Sequence, residues 1–99
     1  ESWVEYDDIT RQILEVPSEN LKDMSADDII QRYEGDPNQM GKTELAAMTM
    51  LKIADEMEDE QLVMKSRLRQ EGLDLLEYVQ AEGDTYSIQR MALIAMLKG

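Results

Sequence analysis

The stretch TELAAMTMLKIADEMEDEQLVMKSRLRQEGLDLLEYV, residues 43–79, decides the fold. Apolar residues fall at Ala47, Met50, Ala54, Met57, Met64 and Leu68, with Gln61 in the same register, and the pattern continues through Gly72, Leu75 and Val79. Steps of three and four put these positions on one face of an α-helix, and no proline interrupts them. The spacing predicts a long helix over residues 43–70 as the spine of the domain. Gly72 is the expected break, followed by the apolar Leu73, because glycine inside a helix costs about 1 kcal/mol relative to alanine. The alternative is a single helix running on to Ala81.

On the N-terminal side, Ile9, Ile13 and Leu14 form a helical stripe after Asp7-Asp8, and Pro17 ends it, since the residue before a proline avoids the α region. Residues 18–23 read as a connector with a short turn around Leu21 and Met24. Ser25 and Asp28 have capping-box spacing ahead of a short helix carrying Ile29, Ile30 and Tyr33, which Gly35 stops. Asp36-Pro37-Asn38 is turn material. On the C-terminal side Glu82-Gly83-Asp84 is a turn, and Asp84 or Thr85 is the expected cap of a last helix. That helix, from Tyr86 and Ile88 to Leu97, is apolar nearly all round. Such a helix is buried centrally or packs on a second copy or a partner. The expected fold is all-α: a compact bundle of four to five helices with a long central helix, forming one domain over residues 1–99.

Composition narrows the chemistry. The chain is 42% hydrophobic and 32% charged, too apolar for a disordered tail and too charged for a membrane protein. It has eight Met, no Phe and one Trp. Met is unbranched and fills irregular gaps, so the expected role of this set is to pack a helical core, with a Met-lined partner groove as the alternative. Cys and His are both absent. Disulfides, thiolate metal sites and thiol or His-based catalysis are therefore excluded. With neither an apolar run long enough to span a bilayer nor a recognisable signal peptide, a cytoplasmic or intracellular protein is expected. The net charge of −12 disfavours direct nucleic-acid and anionic-membrane binding and favours a protein partner with a basic surface.

Four features carry candidate chemistry. Gly35 to Thr43 is similar to a phosphate-binding loop, but five residues separate its glycines where that motif has four, and a helix precedes it instead of a strand. It is read as a helix–helix connector ending at Gly41, with Thr43 near the next N-cap. The second feature is the acidic run Asp55, Glu56, Glu58, Asp59 and Glu60, where like charges are paired four apart on a helix. With Glu71 and Asp74 it resembles the all-helical nucleoside-triphosphate pyrophosphatases of the MazG kind. Asp55, Glu56 and Asp59 match that family's first acidic motif, with Asp in two places where the family has Glu, and Glu71 and Asp74 match its second. The resemblance implies Mg²⁺ held between two helices of a homodimer. Third, the same carboxylates form a binding surface. In its sharpest version they imitate the phosphate rows of DNA, which carry about one charge per 1.7 Å of duplex axis. Asp7, Asp8, Asp23, Asp27, Asp28, Glu34 and Asp36 add a second acidic zone, while Lys65, Arg67 and Arg69 form a basic patch beyond the first. Fourth, Trp3 and Tyr86 are interface anchors or staples of the bundle.

The function expected from the sequence is non-enzymatic: an acidic helical protein that binds a protein partner, as a DNA-mimic inhibitor or regulator of a nucleic-acid-handling protein. Asp55, Glu56, Glu58, Asp59, Glu60, Trp3 and Tyr86 are the expected contacts. No catalytic residue, metal or cofactor is expected. A Mg²⁺-dependent pyrophosphatase and a self-associating scaffold or adaptor are the alternatives, and homo-oligomerisation goes with the latter.

Overall fold

A computed structural model of the chain describes residues 12–14, 18–83 and 87–99. Four α-helices dominate it: α1 (Ala26–Arg32), α2 (Gln39–Glu56), α3 (Leu62–Glu82) and α4 (Ile88–Lys98). Residues 12–14 are also helical, and Ser18–Asp23 and Asp59–Gln61 form 3-10 turns. The described residues include no strand, and the expected all-helical bundle with a long central element is present.

The capping box forms as the sequence predicts. The Asp28 amide donates to Ser25 Oγ at 3.1 Å, and the Ser25 amide donates back to Asp28 Oδ2 at 3.0 Å. Such caps are worth about 1 kcal/mol, which matters for a helix of only seven residues. Gly35, at φ 83°, supplies the left-handed turn after α1. The Tyr33 hydroxyl donates to the Leu14 carbonyl at 2.8 Å, tying the N-terminal helical segment to α1.

The long central element is two helices. It breaks at Met57 and Glu58, and Gly72 lies inside α3. α2 and α3 run antiparallel, with Gln39 bonded to the Tyr78 hydroxyl at one end and Gly72 against Ala47 and Leu51 further along. The expected break at Gly72 is corrected by this packing. A Cβ there would lie 3.0 Å from Leu51 Cγ and Cδ2 and 3.4 Å from the Ala47 carbonyl oxygen. The missing side chain lets the helices close on one another. Burying residues such as Met50, Leu68 and Leu75 yields about 1.5–3 kcal/mol each, which outweighs the roughly 1 kcal/mol that glycine costs a helix.

The observed break has an electrostatic reason. Asp55 and Glu56 stand in the last turn of α2, at the negative end of its dipole, where carboxylates destabilise. Continuing the helix would also stack Asp55 over Asp59 and Glu56 over Glu60. The turn separates these pairs and leaves Glu58, Asp59 and Glu60 ahead of α3, at the positive end of its dipole.

The core gathers Leu14, Leu21, Ile29 and Tyr33 against Ala46, Ala47, Met50, Ile53, Leu68, Leu75 and Leu76. The periodic residues Ala47, Met50, Ala54, Leu68, Leu75 and Val79 are all buried. Methionine follows its expected core role only in part, with Met24 and Met57 packed against the core beside Met50. Met50 is the one Met with no exposed surface, while Met48, Met64, Met91 and Met96 are exposed.

The close approach at Gly72 is testable. Gly72→Leu should destabilise the protein by about 2–3 kcal/mol through overpacking. Urea denaturation should show this as a lower midpoint with an unchanged slope.

Candidate functional site

The acidic run occupies the tip of the α2–α3 hairpin. Asp55 and Glu56 close α2, Glu58 follows in the linking chain, and Asp59 and Glu60 lie in the 3-10 turn. Asp55, Glu56, Glu58 and Glu60 are exposed. Leu62 and Val63, the first residues of α3, sit immediately beyond them at 61% and 88% exposure. The tip therefore joins a carboxylate cluster to two apolar side chains that remain mostly open to solvent. Lys65 is half-buried, Arg67 and Arg69 are exposed, and all three lie on the next two turns of α3.

Glu34 and Asp36, from the second acidic zone, lie at the other end of the hairpin. They belong to the α1–α2 connector, and α2, with 18 residues, is roughly 27 Å long. Asp28 is engaged in the capping box. Trp3, Asp7, Asp8 and Tyr86 lie outside the described residues.

Glu71 and Asp74 are drawn into other bonds. Glu71 Oε2 accepts the amide of Ala26, the first residue of α1, and so ties α1 to α3. Asp74 Oδ1 accepts from Gln70 Nε2 at 2.9 Å on the surface. Among the described residues no three carboxylates are grouped as a metal would require.

The Gly35–Thr43 stretch is a connector that ends at Asn38, with α2 already under way at Gln39, so Gly41 and Thr43 are helical. Thr43 is fully buried, not an N-cap, and its Oγ1 is without a hydrogen-bond partner. Lys42 Nζ bonds Asp36 Oδ2 at 2.7 Å and lies 5.7 Å from the centre of the Tyr33 ring. This Lys42 bond, with the Asn38 amide on the other oxygen, holds the Asp36 carboxyl below its ordinary value of 3.8.

At the opposite edge, α4 is capped by Ser87, whose Oγ accepts the Arg90 amide at 3.2 Å; the expected caps, Asp84 and Thr85, lie outside the described residues. The helix is peripheral. Leu93, Ile94 and Leu97 pack against the core, and Arg90 is the one buried residue of α4. Its Nε donates to Gln80 at 2.8 Å and its Nη1 to Glu44 at 2.7 Å, so a single guanidinium joins α2, α3 and α4. Sequence reasoning misses this clasp, although a lone Arg inside an apolar run is a usable signal, since a buried charge needs partners. Shallow grooves flank α4. One, against α2, measures about 270 Å³ and includes Leu45, Met48 and Leu93; the other, against α3, measures about 300 Å³ and includes Leu73, Met96 and Leu97.

Among the described residues no helix is long and apolar enough to cross a membrane. The chain matches no protein family, no curated protein and no solved structure.

Two outcomes test these bonds. Arg90→Ala should cost about 2–3 kcal/mol, less than breaking a fully buried pair because Glu44 is partly solvated, and should be read by thermal or urea unfolding. For Asp36, the depressed pKa means that its pairing with Lys42 stabilises the fold above the ordinary Asp pKa and is lost as pH falls through the lowered value. An NMR titration should place its inflection below 3.8, and Asp36→Asn should remove that part of the acid dependence.

Proposed function

We propose that this protein is a non-enzymatic interaction module whose hairpin tip receives a basic segment of a protein partner. The observation that carries this reading is the continuity of the exposed carboxylates Asp55, Glu56, Glu58 and Glu60 with the exposed Leu62 and Val63. Carboxylates alone are ordinary solvated surface, but apolar side chains set beside them favour a partner that is both cationic and apolar. Charge draws the partner in and fixes its orientation, and burial of Leu62 and Val63 adds affinity that salt does not screen.

The placement of charge favours this over imitation of a DNA duplex. The tip gathers Asp55, Glu56, Glu58 and Glu60 in one compact patch, and Lys65, Arg67 and Arg69, which follow it on α3, interrupt any continuous row of acid toward Asp74. A short basic amphipathic helix fits a compact patch better than a nucleic-acid groove does.

A fluorescently labelled Leu/Lys amphipathic peptide provides the test. Its anisotropy should report binding that weakens about tenfold between about 50 and about 300 mM NaCl. The triple variant Glu56→Gln, Glu58→Gln, Glu60→Gln should lose about tenfold at low salt, and Val63→Ser a few-fold at either salt. Neutralising the exposed Glu34 and Glu82 at the other end should change little. Equal losses from both ends, or affinity indifferent to the tip variants, would sink the proposal.

A further inference from the structure

The outer face of α4 has no place in that reading and has its own chemistry. Leu93, Ile94, Leu97 and the Arg90 clasp fix one side of the helix to the bundle. At 100° per residue, Ile88, Ala92 and Ala95 then run down the middle of the opposite side, with Met91 and Met96 as flanks. All five are exposed, Ile88 at 76% and Met96 at 62%. Two alanines at the centre let a second helix come close, and adaptable Met side chains close over the edges.

Charge selects the occupant. Residues 85–99 are the longest stretch of the chain without Asp or Glu, in a protein of net charge −12. The charged groups of α4 are Arg90, which is buried against Glu44, and Lys98, which pairs with Glu77 at 2.8 Å. A basic partner finds no opposite charge on this face. Two copies of the chain repel one another through their carboxylate-bearing surfaces, and least through this one.

We propose that α4 is a self-association surface, on which the α4 helices of two copies pack about a two-fold axis through Ile88, Ala92 and Ala95. An 11-residue helix gives an interface in the small class, below about 1,200 Å², the size of weak, transient contacts, so the dimer is in exchange with monomer. Its salt dependence has the opposite sign to that of the hairpin tip: screening relieves repulsion between like-charged copies and strengthens the dimer.

Sedimentation velocity tests this on the full chain, over protein concentrations from about 10 to about 500 µM, at about 50 and about 500 mM NaCl. The expected result is a dimer fraction that grows with concentration and with salt. Ile88→Glu and Ala92→Glu should each weaken it at least about tenfold without altering the thermal melt, since both positions are exposed, while Val63→Glu at the tip leaves it unchanged. A monomer throughout at high salt would overturn the proposal. So would a dimer indifferent to Ala92→Glu. Because salt acts in opposite directions on the two surfaces, failure of one proposal is distinguishable from failure of the other.

Discussion

The structure turns on the close approach of α2 and α3 at Gly72. With only a hydrogen where a side chain would meet Leu51, the two longest helices come together along the register that Ala47, Met50, Ala54, Leu68 and Leu75 define. The rest of the fold is built on that pair. α1 docks through Glu71, one residue before Gly72, and α4 docks through Gln80 further along the same helix. The side chains that organise the periphery are therefore carried on α3, whose position the glycine sets. A carboxylate that could have served as a ligand instead satisfies one of the unpaired amides of a short helix.

The hairpin also explains why the chain tolerates so dense an acidic run. Five carboxylates within six residues are unfavourable in a continuous helix and worse at its C-terminus. Placed across a turn, the run destabilises the end of α2 but favours the start of α3, and Asp55, Glu56, Glu58 and Glu60 all face water. Repulsion that would have strained a straight helix becomes a reason for the chain to reverse direction there.

Much of this is legible in the sequence. The Ser25–Asp28 box and the stop at Gly35 report local physics and take their expected form. The period of residues 47–79 marks the buried face on either side of the turn but fails around the reversal, where Met57 is half-buried and Gln61 and Met64 are exposed. The break lies away from its expected place because glycine has two opposed meanings. It weakens a helix by local entropy, and it also permits close packing with a partner that local pattern cannot reveal. Methionine departs in part from its expected core role for a related reason. Period tells that a helix has an apolar side, whereas the exposure of Met48, Met64, Met91 and Met96 depends on how many neighbours the fold supplies. Of the candidate contacts, the acidic run is readable as charge. Its union with Leu62 and Val63 is not, since that depends on where the chain turns.

The excess of apolar surface follows from size. A chain of 99 residues has one modest core, and the α2–α3 pair with α1 and the N-terminal segment already fills it. A fourth helix laid on that pair buries one side, here through Leu93, Ile94 and Leu97, and its other side needs polar residues or a cover. This helix has Ala, Ile and Met there, and of its two charged residues Arg90 is turned inward while Lys98 pairs with Glu77 at its end. An Arg directed into the bundle while Ile88 and Met96 face outward is the reverse of a helix patterned for water. The clasp fastens α4 to both long helices through groups that water would otherwise solvate, so its outer face is carried on the bundle. Attachment of that kind lowers the ordering cost of association, one of the costs that a small interface must offset.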